Sequence, residues 1–533
     1  MTQLEKQYSP IFLAVAVVLL SFTSIRGILW LSGKSQTMAE LSIVGVLVTS
    51  VLLTVYFKDV SYPKFLTTFS RWLAAICLAY IALQYPLFPI IKHQLFQTHT
   101  WIQFIWICAL GSCIIGWFKT PILLLAGVYI PWIKLYASHA TGMPYRTTLD
   151  IIPLYQLTIF IAITAVVGGL LTKLEVFRAY LNPVTRFTFF CSCFFCLLSF
   201  HIAGYFFSGI EKAGLDGGIL HWPFKNNLQN IFYVAVNNQQ LIWQNSDNLL
   251  RAVNSITNVV TRPLSVVVFF SQLLAICAFS SKRLMIALLL IYDFMHLGIF
   301  FLVGANFMTW FFVNLALVST IALIPKSFFG LRQAIAAGCL IFLCQYGVNK
   351  VYQIPQLGWY DSLAVNNAYF KVETSDRKIV KIPTTHFTFY SYPLGHMSYG
   401  HPDGYYVPTA TNGGTDFVDI LLKAEQCGFE PTDLQSPYPY QLDTVAFSNY
   451  IRAYHQQLLD FPPRLHELMQ TVYWHHFWPP YDAHNEATIL DISKFIRYEL
   501  SIDATCLIRD GEMFRSKVIN REKFAVDLWT HKN

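Results

Sequence analysis

The residues with the most chemical potential sit where a charge is hardest to keep. The apolar run from Leu284 to Val303 carries Asp293 and His296 near its middle. Three residues apart on a helix, they share a face. A carboxylate so placed can orient an imidazole and raise its basicity, as in acid–base pairs generally. An ionisable group inside a membrane span is costly and is a functional candidate by default. The competing reading pairs Asp293 with a group on a neighbouring helix, such as Arg26, and makes it a lock for the bundle. A second place is Tyr205-Phe206-Phe207-Ser208-Gly209-Ile210-Glu211-Lys212, where another apolar run ends. There Lys212 is either an ammonium snorkelling into the interface or a partly desolvated amine able to act as a base. A third is His139, in Ser138-His139-Ala140-Thr141-Gly142, whose plain reading is a solvated loop histidine.

Long apolar runs must position these groups. Of the 533 residues, 55% are hydrophobic and 13% charged, about half the charge of an ordinary soluble domain. The deficit lies in residues 11 to about 348, while the remainder has soluble composition. With about 20 apolar residues needed per crossing, the spacing predicts roughly eleven spans: 11–31, 40–57, 72–91, 101–118, 120–138, 155–172, 187–208, 263–280, 284–303, 308–325 and 331–348. The fold class expected is therefore an all-α polytopic membrane bundle of about eleven transmembrane helices (1–350) with a small α+β exported C-terminal domain (351–533). The first run begins near Ile11, after Lys6, with no cleavage site following a short apolar region, so it reads as a retained span.

Basic residues orient the bundle. The connections with Lys58, Lys64 and Arg71, with Lys173, Arg178 and Arg186, with Lys282 and Arg283, and with Lys326 and Arg332 can all be cytoplasmic together if the N-terminus is inside and the span count odd. His139, the segment from Ser208 to Arg262 and the tail then lie outside. The formal charge of +7 thus reports topology, and no nucleic-acid partner is expected. Within Glu211 to Thr261 two amphipathic stretches, 228–235 and 249–260, read as helices lying on the outer interface near 225–261; a lid over a membrane-facing cavity would look the same.

In the tail, Phe387-Thr388-Phe389-Tyr390 alternates as a strand does, and Gly400, Pro402, Gly404, Gly413 and Gly414 mark loops. Helical patterns cover 416–425, 444–458, 463–474 and 488–498. Nine of eleven cysteines, including Cys191, Cys193 and Cys196, fall in apolar segments and behave as small hydrophobes. Cys427 and Cys506 lie in the tail, as a disulfide or as two buried thiols. His396, His401, His475, His476, His484 and Glu486 follow no ligand spacing, so no metal is expected. There is no P-loop, dinucleotide fingerprint, HExxH or GxSxG elbow.

Three segments resemble one family. The string from Tyr205 to Lys212 is similar to the YF-x-x-G-x-x-K segment of the vitamin K-dependent γ-carboxylases and their bacterial relatives, the horizontally transferred transmembrane (HTTM) domain proteins. Ser138-His139 looks like the family's Asn-His segment. The Asp293/His296 helix, with Gly304 and Asn306-Phe307-x-x-Trp310 after it, looks like the later His-bearing helix of bacterial members. The match covers residues 70–350 in patches. It departs where the vertebrate enzyme has a second lysine and this chain has Glu211, and where a large lumenal region is here a tail of about 180 residues.

The resemblance implies a carboxylase-like (lyase) membrane enzyme with Lys212, His139, His296 and Asp293 as catalytic residues and Tyr205 and Trp222 at the cofactor. The cofactor implied is a reduced, vitamin K-like quinone. An uncharged Lys212 would deprotonate this hydroquinone, oxygen would convert the anion to a strong base, and carbon dioxide would add to a deprotonated glutamate side chain. An apolar surrounding would shield the intermediate from water. The partners implied are membrane lipids and an exported protein or peptide substrate. The location implied is a bacterial inner membrane, with the N-terminus cytoplasmic and the C-terminus periplasmic. The alternative is a non-enzymatic scaffold whose exported domain binds a protein, with intramembrane polar groups as packing glue. A transporter would want paired repeats or broken helices at the midplane, and no repeat is visible.

Overall fold

The computed structural model describes residues 3–87, 100–141, 151–175, 183–214, 218–237, 241, 243, 246–305, 307–343, 361, 363–382, 386–387, 400, 402, 441–459, 491–510 and 513–528. Its first part is helical: α1 (Gln3–Ser32), α2 (Gln36–Tyr56), α3 (Lys64–Leu87), α4 (Thr100–Gly116), α5 (Leu123–Thr141), α6 (Ile152–Lys173), α7 (Pro183–Gly214), α8 (His221–Lys225), α9 (Leu228–Asn237), α10 (Asp247–Leu274), α11 (Lys282–Val303), α12 (Met308–Ile321) and α13 (Leu331–Leu343). A helix is the one open-ended element that satisfies its own backbone away from water. Serines set several starts: Ser35, Ser246 and Ser281 each accept a hydrogen bond from a first-turn N–H. Gly304, at φ 72°, ends α11 in the left-handed conformation that glycine adopts freely.

Among the described residues, eight helices are long and apolar enough to cross a membrane, and three shorter apolar helices, Trp101–Gly116, Met308–Ile321 and Leu331–Leu343, fall at the other expected spans. The amphipathic stretch at 249–260 differs from expectation. It runs unbroken into the following apolar stretch as α10, passing through Pro263. Its Thr257, Thr261 and Ser265 are buried along one face of the helix, while Leu249, Ile256 and Val259 are exposed on the rest of it.

The bundle is polarised. At one end lysines seek helix C-terminal carbonyls, which carry the negative end of the helix dipole. Lys119 bonds to Lys58 O and Lys173 to Tyr56 O. Lys282 Nζ donates to Ala322 O (2.8 Å) and Ile324 O (3.0 Å), and Arg71 Nε to Trp117 O (3.2 Å). Phe195 of α7, packed at an angle on Phe279 (4.5 Å) and edge-on to Phe328 (5.7 Å), ties α7 to that end. The C-termini of α1, α5, α7 and α11 point the other way. Near that opposite end Val234 of α9 packs with Leu363 and Leu507 of the C-terminal region.

The C-terminal region contains a four-stranded antiparallel sheet in the order β2-β1-β3-β4, from β1 (Ala364–Thr374), β2 (Ile379–Ile382), β3 (Phe495–Asp510) and β4 (Met513–Asp527), with α14 (Thr444–Leu459) against it. Side chains alternate across a strand. Ala368, Phe370, Val372, Leu500, Ile502 and Val526 face a core with Phe447, Ile451, Tyr454 and Leu458 of α14. The other face is charged: Arg521 grips Asp503 at 2.6 and 2.7 Å, and Lys523 meets Glu499 at 3.3 Å. The helix expected at 444–458 is present. The helix expected at 488–498 is not: Ile492–Lys494 forms a single turn closed by Asp491, and β3 begins at Phe495. Ile492, Phe495 and Ile496 mimic helical spacing, but Tyr498, Leu500 and Ile502 set a period of two that wins by joining the sheet core. Phe387 packs on Phe370 (4.4 Å) from a turn, and residues 388–390 lie outside the described residues. The stretches 416–425 and 463–474 lie outside them too, as do His396, His401, Cys427, His475, His476, His484 and Glu486. Cys506 is disulfide-bonded, its partner lying outside the described residues, whereas Cys77, Cys113, Cys191, Cys193 and Cys196 are free thiols.

Candidate functional site

Helix α7 supplies the spine of the site. His201, Tyr205, Ser208 and Lys212 follow each other at intervals of four, three and four residues, which places them on one helical face. All four are buried, Lys212 with 2% of its surface exposed. Gly209 lets this face press close to α10: a Cβ there would lie 3.1 Å from both Gln272 Cβ and Leu273 N. Helices approach so closely in membranes where small residues allow it.

At the lower end of the stripe three helices meet on one amide. Asn314 of α12 donates from Nδ2 to Tyr205 Oη (2.9 Å) and to Asp293 Oδ1 (2.9 Å). Its Oδ1 lies 2.7 Å from His201 Nε2. An amide oxygen only accepts, so His201 Nε2 carries the proton and Nδ1 is the bare nitrogen. Asn314 thus has no bonding capacity left on its two N–H groups. Tyr205, having accepted, keeps its own hydroxyl proton to give.

Aromatic rings enclose this group. Tyr205 stacks on Tyr292 (3.8 Å, 10°), His296 stacks on Phe307 (5.6 Å), and Trp310 lies 5.5–6.0 Å from His201, Tyr205 and His296. Tyr292 Oη donates to Ser271 O (2.8 Å), tying α11 to α10. Yet His201 Nδ1, Asp293 Oδ2, His296 Nδ1 and Gln272 Oε1 are buried with no hydrogen-bond partner among the described residues. Buried polar atoms are paired in the great majority of cases. Both a bare imidazole nitrogen and a carboxylate oxygen accept, so the group is suited to a ligand that donates.

The upper end of the stripe is Lys212, in the last turn of α7 where helix carbonyls favour a cation. Nζ donates weakly to Ser208 O (3.4 Å). The ring of Trp222 covers it at 5.3 Å, a cation–π distance, and Trp222 itself stacks against Phe269 of α10 (6.3 Å). The carboxylates of Asp361 and Glu211 act on the lysine electrostatically, Asp361 the more strongly. Seven residues separate Lys212 from Tyr205, about 10 Å along the helix.

The structure therefore brings the six expected site residues into two linked groups and a remote one. Tyr205, Asp293 and His296 share the amide-centred group, and Lys212 and Trp222 form the cap above it. Asp293 meets Asn314, a partner on a neighbouring helix as the packing reading required, though not Arg26. His139 sits elsewhere. It ends α5, and its Nε2 lies 2.8 Å from Ser32 O at the end of α1; no described contact joins it to Lys212 or to the amide-centred group. Phe187 at the start of α7 meets Phe65 at the start of α3 (6.0 Å), at the lysine-bearing end, so α7 finishes at the opposite end, as α5 does, and His139 and Lys212 share it. Sequence reasoning missed His201, Asn314 and Asp361. His201 carried a signal, being a titratable group within a span one turn before Tyr205. Asn314 stood mid-span, while Asp361 carried no signal at all.

No family model, curated protein or solved structure matches this chain, so what it does must be read from the site itself.

Proposed function

We propose that the chain is a polytopic membrane enzyme of the γ-carboxylase-like type, in which Lys212 serves as base toward a hydroxyl of a lipid-soluble, reduced quinone-type cofactor. One observation carries the reading: the Lys212 amine lies buried beneath Trp222 at the head of a buried polar stripe that ends in unpartnered acceptors. A membrane anchor would instead reach its nitrogen toward water. Lys212 Nζ would take up the proton of a hydroxyl on such a cofactor, and Trp222 would cover the amine while it does so. Carboxylation of an exported glutamate-bearing partner is the later chemistry that the resemblance of residues 205–212 implies.

The same reading places eleven spans in the membrane, the N-terminus in the cytoplasm and the C-terminal domain outside. The gathering of lysines at one end of the bundle supports it. So does the disulfide at Cys506, since such bonds persist in oxidising compartments.

Native mass spectrometry of the detergent-purified protein, wild type beside Lys212→Ala, tests the proposal. A bound quinone lost in the variant supports a cofactor pocket at Lys212, and carboxylation of a glutamate peptide should then fall at least a hundredfold, the usual contribution of a positioned base. No small molecule in either protein, with a stoichiometric exported protein bound instead, would favour the scaffold reading.

A further inference from the structure

Asp361 is fully enclosed, yet it belongs to no strand or helix. Its backbone N–H donates to Asn226 Oδ1 (2.8 Å), its Oδ2 accepts from Asn226 Nδ2 (2.7 Å), and its carbonyl accepts from Asn230 Nδ2 (2.9 Å). Asn226 in turn caps α8, its N–H donating to Trp222 O (2.9 Å). Trp222 is the residue whose ring covers Lys212. An unbroken chain of contacts thus runs from the head of the C-terminal region through Asn226 and Trp222 to the lysine. The packing of Val234 on Leu363 and Leu507 holds the neighbouring α9 to the same region.

The outer side of this cap is largely apolar: Ile219, Leu220 and Phe224 are exposed beside Trp222, with Lys225 at its edge, and Ile210 of α7 and Phe270 of α10 are exposed as well. Each of these helices contributes to an apolar stretch long enough to cross a membrane. A cap with this surface would suit acyl chains, and lifting Trp222 would then open the site toward a bilayer.

We propose that Asp361 is a positioning residue for the Lys212 site: it clamps Asn226, seats Trp222 over the amine and couples the cap to docking of the C-terminal domain. With the domain docked, the amine is covered and faces a nearby carboxylate. With it released, the cap swings free and a lipid-phase molecule has lateral access. The inference rests on the functional reading of Lys212 for its purpose, but its geometry can be tested without turnover.

The test is trace labelling of the full-length protein in detergent with acetic anhydride, followed by peptide mass spectrometry. The rate at Lys212 is compared with those at Lys371 and Lys523 on the exposed face of the sheet. Asp361→Ala should speed acylation of Lys212 about tenfold, the effect of losing a charge-assisted hydrogen bond on a local opening, and leave the two sheet lysines unchanged. Asn226→Ala, which removes that bond together with the one accepted from the Asp361 N–H, should speed it at least as much. The double variant Asn226→Asp/Asp361→Asn exchanges the two side chains and restores both hydrogen bonds, so its Lys212 rate should return toward wild type. An unchanged Lys212 rate in both single alanine variants overturns the proposal, as does a double variant no slower than Asp361→Ala. A Lys212→Ala protein that keeps full carboxylase activity would defeat the enzyme reading while leaving this result standing.

Discussion

Asn314→Ala is the most informative single change in the membrane region. The amide makes three hydrogen bonds, to His201, Tyr205 and Asp293, and alanine removes them together. In a soluble core, each buried group left unpaired would cost about 1–3 kcal/mol. Inside a membrane, side-chain hydrogen bonds average only about 0.6 kcal/mol and reach about 1.7, because the unfolded chain in the membrane finds other partners. The membrane scale applies, since all three partners remain within apolar helices. It gives a loss of about 2 kcal/mol, with about 5 as the ceiling. Equilibrium unfolding in mixed micelles, or steric trapping in bicelles, resolves such a difference. A double-mutant cycle with Asp293→Ala sharpens it: the two variants delete one shared bond, so their costs should fall short of additive. A loss below about 0.5 kcal/mol, or strict additivity, would refute the placing of this amide at the junction of α7, α11 and α12.

Two further outcomes are expected. Gly209→Val should cost about 1–3 kcal/mol in the same unfolding assay, because its side chain meets the α10 backbone at Leu273; an unchanged midpoint would mean that the helices separate freely. In the C-terminal domain, burial pushes the His455 imidazole down to about 4, against about 6.5 in an unfolded chain. The unfolded state therefore takes up this proton first as pH falls. The stability His455 contributes is intact above about pH 6.5 and is lost between there and about pH 4. Hydrogen exchange of β3 amides in the full chain should show that loss, and His455→Phe should flatten it.

Apolar run lengths were enough to reveal where the helices lie, because a membrane leaves the backbone few options. Asp293 and His296 were legible for a related reason: a titratable group in such a run has a cost that invites explanation. What held Asp293 was not legible. Its partner Asn314 lies 21 residues on, and only the packing of α11 against α12 determines that their side chains meet. The family-like string pointed to Lys212, but the covering of Lys212 depends on Asp361, 149 positions later. No local pattern marks a loop aspartate that caps a distant asparagine. The misreading at Phe495–Tyr498 has the opposite cause, a local periodicity that fits a helix until the neighbouring strands are present.

Helix α12, which carries Trp310 and Asn314, has 14 residues and so spans about 21 Å, while a bilayer's hydrocarbon layer is about 30 Å thick. One flank of that helix is open to its surroundings at Phe312. Acyl chains beside it must shorten or tilt, and such mismatch costs a fraction of a kcal/mol per ångström. On the proposed membrane reading, the aromatic cluster around Tyr205 would adjoin a thinned part of the bilayer. Bilayer thickness would then be a control on the site: short-chain lipids would suit α12, long-chain lipids would load it, and the preferred membrane would be the one whose thickness leaves the Asn314 junction undistorted.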